Sequence, residues 1–91
     1  MRYQINYTDE ARRSLRTLPG NYRQRIRRLV ESLADEPRPR QAIALRDMPN
    51  RYRIRVDHWR LIYRIYDDEI VVLVLDIRYK TGPETYDELE C

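Results

Sequence analysis

The sequence has few of the residues that build metal sites, disulfides or phosphate-binding loops. It contains one cysteine, Cys91, and one histidine, His58, so neither a disulfide framework nor a cysteine- or histidine-based metal site is expected. Its only glycines, Gly20 and Gly82, are too few for a glycine-rich phosphate loop. No hydrolase triad is present, and His58 beside Asp57 is interpreted as a solvated turn residue. We therefore expect neither a bound metal ion nor another cofactor.

Long hydrophobic segments are also absent. The longest uninterrupted apolar run, residues 70–75, is six residues long, whereas a helix needs about 20 to cross a bilayer. The first twenty residues carry charges throughout, so no secretory signal is expected. A chain of 91 residues has room for one hydrophobic core. We predict a single domain over residues 1–91 in the reducing cytoplasm, without a membrane partner.

Positive charge is abundant and unevenly distributed. Residues 1–64 carry 16 basic and 7 acidic side chains, net +9, whereas residues 65–91 carry 2 and 8, net −6. All basic residues except Lys80 are arginines, whose planar guanidinium group binds phosphate bidentately. By composition alone, a polyanionic partner and an arginine-rich protein with ordinary solvated helix faces are equally compatible with the sequence.

Two helices are predicted after a short N-terminal strand. Residues 1–7 alternate between apolar and polar side chains, which is typical of a strand with one buried face. Thr8 is a suitable N-cap for a helix that has two acidic residues in its first turn and ends at a Pro-Gly pair. Asn21 is predicted to cap a second helix, and the stretch 36–50 then forms a long connection. The apolar residues of the second helix recur at helical spacing and are Tyr22, Ile26, Leu29, Val30 and Leu33.

From Arg51 onward the hydrophobic period changes to two. The segments RYRIRV and WRLIYRIY alternate basic and apolar residues and are separated only by Asp57 and His58, so a two-residue hairpin sets their register. The predicted inner pairs are Val56 with Trp59, Ile54 with Leu61 and Tyr52 with Tyr63; the outer pairs are Arg55 with Arg60, Arg51 with Arg64 and Arg53 with Ile62. Because like charges directly opposite each other destabilise a sheet, the outer pairs favour an anionic ligand.

The segment EIVVLVLDIR is apolar on both faces, as in a strand that is covered on both sides. A two-residue turn before it would bury Asp76, so we favour a three-residue turn from Asp67 to Glu69, which places Asp76 opposite Arg60. The residues that this register directs inward are Val71, Leu73, Leu75 and Ile77. The register leaves outside an apolar strip that the acidic C-terminal segment or a second protein must cover, namely Ile62, Val72 and Val74.

We predict an α+β fold in which an N-terminal strand and a helical hairpin precede a three-stranded antiparallel meander, with the helices packed on one sheet face. The other face, with its rim, is predicted to collect Arg46, Arg51, Arg53, Arg55, Arg60, Arg64, Arg78 and Lys80. Tyr66, Tyr79 and Tyr86 are near the same side, and aromatic rings beside guanidinium groups suit a stacked base next to a bound phosphate. This arrangement favours RNA or another polyanion over a basic face neutralised by the acidic C-terminal tail.

The order of elements and the runs LRDMPNRYRIRV and WRLIYRIYDDEIVVLVL, with the closing Tyr86, resemble the RelE/ParE superfamily of type II toxins, and RelE-like messenger RNA interferases in particular. The resemblance covers nearly the whole chain. It implies the RelE-like fold, in which a four-stranded sheet flanked by helices presents basic residues to messenger RNA in the ribosomal A site. It also implies cleavage by attack of a ribose 2′-OH on the neighbouring phosphate, inhibition of translation, and a cognate antitoxin that holds the toxin inactive in a hetero-oligomeric complex.

Matched by position, the resemblance assigns catalytic roles to Arg53, Arg55, Arg60, Lys80 and Tyr86. The remaining basic residues of this face are interpreted as RNA-binding, namely Arg46, Arg51, Arg64 and Arg78. The best-known members carry lysines at positions 53 and 55 and an arginine at position 80, and arginine keeps its proton near neutral pH, so Arg55 is a poor general base. The hypothesis is that Arg53, Arg55 and Arg60 stabilise the phosphorane. Lys80 would protonate the leaving 5′-oxygen, and Tyr86 would take the 2′-OH proton or orient the base by stacking.

Two alternatives to the ribonuclease stay open. ParE-like proteins share the scaffold, lack the catalytic set and poison DNA gyrase, whereas an inactive homologue would only bind its antitoxin. The retained basic residues and Tyr86 favour the ribonuclease. The strip of Ile62, Val72 and Val74 is interpreted either as a docking place for the antitoxin or as a surface covered by this chain's own C-terminus.

Overall fold

Local signals near the N-terminus produce the first strand and the first helix. The computed structural model describes residues 2–79, and in it β1 covers Gln4–Tyr7 and α1 covers Asp9–Thr17. The Oγ1 atom of Thr8 accepts a hydrogen bond from the backbone N–H of Ala11 at 3.0 Å, which satisfies one of the donors at the start of α1. The predicted N-cap of the first helix is therefore confirmed.

The second helix, α2, covers Gly20–Ser32, and its N-cap residue is Pro19. The prediction that Asn21 caps this helix is wrong, because Asn21 already lies within the first turn. Proline restricts its own φ to values near those of a helix, so the chain turns into α2 directly after Pro19. Ile26 and Val30, on the predicted apolar face, are buried.

Arg23 in α2 joins the two helices. Its guanidinium group donates hydrogen bonds to the carbonyl oxygens of Leu15, Arg16 and Leu18 at 3.3, 3.2 and 3.0 Å. These carbonyls belong to the C-terminal end of α1, where the helix itself offers no hydrogen-bond donors. The contacts explain how the predicted helical hairpin keeps its shape.

Five strands form one mixed sheet in the order β1-β5-β4-β3-β2. The other strands are β2 over Ile43–Ala44, β3 over Arg51–Val56, β4 over Trp59–Tyr66 and β5 over Val71–Tyr79. β1 runs parallel to β5, and the remaining neighbours are antiparallel. The predicted α+β fold, with both helices on one face of the sheet, is confirmed. The two-residue strand β2 lies in the predicted connection 36–50 and was not anticipated, because it is too short to show a period. We call the helix-covered face the inner face and the opposite one the outer face.

The hairpin of β3 and β4 follows the predicted register in all six pairs. Asp57, the first residue of its two-residue turn, has a φ of 56°, which is the left-handed conformation that tight hairpin turns require. The apolar residues of both strands, except Ile62, face the helices, and Ile54, Leu61 and Tyr63 are fully or almost fully buried. The count of residues between the two strands was therefore sufficient to predict which side chains share a face.

The predicted register of β5 is wrong over most of its length. Val72 and Val74 are 0% exposed and point into the core, whereas Leu73 is only half-buried. The predicted three-residue turn is wrong: Tyr66 pairs with Val71, so the turn has four residues, 67–70, and the first half of β5 has its two faces exchanged. A β-bulge opposite Ile62 and Tyr63 then adds one residue to β5 at Leu75, which exchanges the faces again, so that Ile77 points inward as predicted. Only the last of the residues predicted to point inward, Ile77, is buried; Val71, Leu73 and Leu75 are not.

The four-residue turn and the bulge together change two inferences about the outer face. Asp76 lies opposite Ile62, and Arg60 lies opposite Arg78 rather than opposite Asp76. Val72 and Val74 belong to the core, so they do not form an outer apolar strip. The predicted strip is therefore not available as a docking place for an antitoxin.

The core lies between the helices and the inner face. Its buried cluster is Ala11, Leu15, Leu18, Ile26, Val30, Leu33, Ile54, Val56, Leu61, Tyr63, Ile65, Val72, Val74 and Ile77. Burial raises the pKa of Tyr63, whose hydroxyl group donates to the carbonyl oxygen of Pro37 at 2.7 Å. The polar tip of this core residue therefore has a hydrogen-bond partner.

None of the helices in residues 2–79 is long and apolar enough to span a membrane.

Two exposed aspartates hold the hairpin turns against the rest of the fold. Asp57 accepts hydrogen bonds from the Tyr22 hydroxyl at 2.7 Å and from Arg25 at 3.1 Å, and these bonds lower its pKa. In the turn between β4 and β5, Asp67 accepts from Arg38 at 2.8 Å and from the hydroxyl of Tyr3 at 2.8 Å, with the same effect on its pKa. Both turns are thus linked to distant segments through carboxylates that must be ionised.

These two carboxylates predict an acid-sensitive contribution to stability. A lowered pKa in the folded state stabilises the protein above the ordinary value of 3.8, and the contribution is lost as pH falls through the folded-state pKa. We expect the double variant Asp57→Asn, Asp67→Asn to be less stable than the parent at pH 7 and to lose less stability on acidification. Urea unfolding followed at several pH values between 7 and 3 measures both effects. Parallel stability curves for the two proteins would contradict the assignment.

Candidate nucleic-acid interface

Three arginines stand side by side across the outer face of the sheet. Arg55 on β3 lies opposite Arg60 on β4, and Arg60 lies opposite Arg78 on β5. Directly opposed residues on neighbouring strands have Cβ atoms about 4.5–5.5 Å apart. We call Arg55, Arg60 and Arg78 the arginine row. Sequence reasoning predicted the first pair of this row but placed Arg78 only on the same face, since it predicted neither the four-residue turn nor the bulge in β5.

A second group of arginines occupies the next rungs of the ladder. Arg53 lies between Ile43 and Ile62 on the neighbouring strands, and Arg51 lies opposite Arg64. The guanidinium carbon of Arg64 is 4.7 Å from the centre of the Tyr66 ring, in the geometry of a cation–π contact. Together with the arginine row, these residues make the half of the outer face formed by β3 and β4 strongly basic.

Two of these guanidinium groups are buried although they belong to the outer face. Arg53 is 6% exposed and Arg60 is 5% exposed. Within residues 2–79, the Nε and Nη1 atoms of Arg53 and the Nε atom of Arg64 have no hydrogen-bond partner. A buried charged donor that lacks an acceptor costs free energy, so this part of the face is suited to an anionic acceptor such as a phosphate oxygen.

One carboxylate lies at the β5 end of the arginine row. The Nε atom of Arg78 is 2.7 Å from Oδ2 of Asp76, and the other carboxylate oxygen accepts the backbone N–H of Ile77 at 2.8 Å. This pair orients Arg78 and reduces the net charge of the row. The predicted contact of Asp76 with Arg60 is replaced by this one, because the two residues are not opposite each other.

The remaining predicted site residues are placed as follows. Arg46 is exposed in the turn between β2 and β3, outside the strands that carry the other arginines of the outer face. Lys80 and Tyr86 lie outside the described residues, so their predicted roles stay predictions. Among residues 2–79, no group of three or more histidine, cysteine or acidic side chains is placed to hold a metal ion.

An aromatic cluster borders the arginine row at the end of β5. Tyr79 is the ladder partner of Trp59, and the two ring centres are 4.9 Å apart with a near edge-on angle of 68°. The His58 ring lies 5.9 Å from Tyr79, and the Tyr22 ring lies 6.2 Å from Trp59. Sequence reasoning interpreted His58 as a solvated turn residue, and this is confirmed, since His58 is exposed in the turn between β3 and β4. The contact of His58 with Tyr79 was not predicted, because it depends on the register of β5.

The arginines of this arrangement can bind and stabilise negative charge, but they are poorly suited to removing a proton. Arginine stays protonated at any physiological pH, so Arg53, Arg55 and Arg60 can donate hydrogen bonds to phosphate oxygens and cannot act as bases. Fixed donors of this kind stabilise charge that develops in a transition state. A proton acceptor or donor would have to come from another residue of the chain, from the substrate, or from a larger assembly.

Both the sequence and the fold are similar to those of known toxins of type II toxin–antitoxin systems. Residues 5–81 match the model of a family described as the ParE toxin of the type II toxin-antitoxin system parDE. The mRNA interferase toxin RelE of Escherichia coli K12 is 28% identical over 90 residues, which cover 97% of this chain and 94% of the relative. Among solved structures, the isolated E. coli RelE toxin has a TM-score of 0.80 and 26% identity over 97% of this chain and 95% of its own. The toxin-antitoxin complex RelBE2 of Mycobacterium tuberculosis matches with a TM-score of 0.76 and 27% identity over 90% and 95%.

The family model covers most of the chain, and the fold agrees with that of solved RelE toxins. The mixed sheet with two helices on one face is thus shared with proteins of this kind, and the resemblance seen in the sequence is confirmed. The protein belongs to the ParE toxin family of type II toxin–antitoxin systems, within the RelE/ParE superfamily.

Proposed function

We propose that this protein is a RelE-like endoribonuclease that cleaves messenger RNA in the ribosomal A site and so inhibits translation. The observation that carries the proposal is the arginine row beside the buried Arg53, because this arrangement suits a single phosphodiester. The similarity to relatives that are named mRNA interferases also supports this proposal. Such an enzyme would act in the cytoplasm, where ribosomes translate messenger RNA.

In the proposed reaction, a ribose 2′-OH attacks the adjacent phosphorus and the 5′-oxygen of the next nucleotide leaves. Negative charge then grows on the non-bridging oxygens, and Arg53, Arg55 and Arg60 would donate hydrogen bonds to them. Low exposure of Arg53 and Arg60 strengthens these interactions, because less water competes for the oxygens. The arginines would supply the positive charge at the phosphate, so we propose a reaction that needs no metal ion.

Proton transfer in this reaction is assigned to residues beyond the described part of the chain. Lys80 is proposed to protonate the leaving 5′-oxygen, since its ammonium group is a proton donor that arginine cannot replace. Tyr86 is proposed to take the proton of the 2′-OH or to orient the base by stacking. Arg51, Arg64, Arg78 and Arg46 are proposed to bind the RNA backbone.

A second candidate function is inhibition of DNA gyrase without catalysis. Two observations favour it: the matching family model is that of a ParE toxin, and arginines rather than lysines occupy positions 53 and 55. We rank it below the ribonuclease because the named relatives that span almost the whole chain are RelE toxins. A family member that only binds its antitoxin is the remaining alternative.

One experiment separates these functions. The purified toxin is added to a reconstituted translation reaction, and cleavage of the messenger is mapped by primer extension; in parallel, gyrase supercoils plasmid with the same amount of toxin. We expect ribosome-dependent cleavage within codons and unchanged supercoiling. Inhibited gyrase with intact messenger would establish the second candidate instead, and no effect in either reaction would support the inactive homologue.

An antitoxin is the proposed protein partner. The M. tuberculosis RelBE2 structure and the intact E. coli RelBE structure, 27% and 25% identical to this chain, are toxin–antitoxin complexes. We propose that a cognate antitoxin likewise binds this toxin in a hetero-oligomeric complex and holds it inactive. Acidic side chains on that partner would complement the basic outer face.

A further inference from the structure

The ring of Tyr79 is exposed although its surroundings hold it in place. The residue is 52% exposed, whereas Tyr63 in the core is 0% exposed. Trp59 contacts the Tyr79 ring nearly edge-on at 4.9 Å, and His58 lies 5.9 Å away at an angle of 53°. Behind Trp59, the ring of Tyr22 connects the cluster to α2 at 6.2 Å. A flat aromatic surface supported in this way loses little conformational freedom when a ligand stacks on it.

The position of this ring relates it to the arginine row. The pair of Trp59 with Tyr79 is the rung of the ladder next to the pair of Arg60 with Arg78. Neighbouring rungs are about 3.3 Å apart along a strand, and consecutive side chains point to opposite faces. Tyr79 therefore lies on the helix-covered side of the sheet, whereas the arginine row lies on the outer face. Because β5 ends at Tyr79 and β4 begins at Trp59, RNA that is bound at the arginine row and continues past this end of the sheet would bring the base of a neighbouring nucleotide to the ring.

We propose that Tyr79, supported by Trp59 and His58, is a stacking site for a nucleobase of the RNA whose phosphate the arginine row binds. The inference rests on the proposed ribonuclease function and names a contact that fixes the substrate beside the reacting phosphate. Stacking on an aromatic side chain is tolerant of base identity, because every base has a π-face. Tyr79 would thus add affinity and orientation with little sequence preference.

The test compares two RNA ligands that have equal charge and differ in their bases. One is a fluorescent tetranucleotide with 2′-O-methyl riboses, which cannot be cleaved by 2′-OH attack; the other is the same backbone without bases. We expect Tyr79→Ala to weaken binding of the base-containing ligand about 5- to 100-fold and to leave binding of the abasic ligand unchanged. Tyr79→Phe keeps the aromatic face and is expected to bind both ligands like the parent. Equal losses on both ligands, or no loss on either, would overturn the stacking site.

The only tryptophan of the chain provides an independent signal. Trp59 contacts Tyr79, so a base that stacks on Tyr79 is expected to change the emission of Trp59, and the abasic ligand is not. The change is expected to disappear in Tyr79→Ala and to persist in Tyr79→Phe. An identical emission change with both ligands would contradict the inference.

A further variant separates failure of this inference from failure of the proposed function. Arg60→Ala is expected to weaken binding of both ligands, because it removes a phosphate contact. If Arg60→Ala weakens the binding of both ligands while Tyr79→Ala changes the binding of neither, the proposal that the outer face binds RNA is supported and the stacking site is wrong. If the parent binds neither ligand, the proposed RNA substrate is contradicted together with the stacking site.

Discussion

Replacement of Arg60 by alanine is expected to lower the rate of messenger cleavage by about 100- to 1,000-fold, which is the usual effect of removing one fixed donor to a charged transition state. Arg60 is the central member of the arginine row, with Arg55 and Arg78 on the strands to either side. Its guanidinium group is almost fully buried, so water cannot fully replace its hydrogen bonds. Single-turnover cleavage on programmed ribosomes measures the effect separately from product release.

Two further variants make this result interpretable. Arg60→Lys keeps the charge but removes the planar fork, and it is expected to recover only part of the rate. Arg28→Ala is the matched control, because Arg28 is an exposed arginine of α2 on the helical layer. It is expected to cleave like the parent. A cleavage rate for Arg60→Ala within threefold of the parent, with the fold intact by circular dichroism, would remove Arg60 from the chemistry.

The largest effect on stability is expected from placing a carboxylate at position 74. Val74 is 0% exposed between the sheet and the helices, so Val74→Asp buries a charge without a partner. The cost is about 4 kcal/mol or more, against a total stability of about 5–15 kcal/mol for a domain of this kind. Leu73→Asp is the matched control and is expected to cost about 1 kcal/mol, since position 73 is opposite Arg64 on the outer face. Urea unfolding monitored by the fluorescence of Trp59 measures both changes.

This pair of variants tests the register of the first half of β5, which the four-residue turn sets. With the three-residue turn predicted from the sequence, Leu73 would point into the core and Val74 would be on the outer face, and the order of the two effects would be reversed. A larger loss of stability in Leu73→Asp than in Val74→Asp would therefore show that the strand has the register first predicted from the sequence.

Features that depend on neighbouring residues were predictable from the sequence. Thr8 caps the first helix because a side-chain oxygen at that position can reach a free backbone N–H of the first turn. The pairing of β3 with β4 followed from the two residues between them, which leave a hairpin only one register. The opposition of Arg55 to Arg60 is a direct consequence of that register, so this part of the candidate site was predictable from the sequence.

Features that depend on distant segments were not predictable in the same way. The bulge in β5 arises where an apolar strand must meet β4 on one side and the parallel strand β1 on the other. A run of valines and leucines offers no polar residue to mark its outer face, so the alternation that reveals other strands is missing. The position of Arg78 in the arginine row, and the contact of Tyr79 with Trp59, follow only from the bulged register.

The amino-acid sequence by itself determined the α+β order of elements, the β3–β4 register, the excess of arginine on one strand face and the family resemblance. Each of these depends on local spacing or on side-chain type. Only the tertiary structure decided which valines of β5 enter the core, that a third arginine extends the row, and that an aromatic cluster stands at its end. The physical reason is that either face of a strand with two apolar faces can be buried, so the strand's own sequence does not decide between them. Its pairing with the neighbouring strands decides which face enters the core.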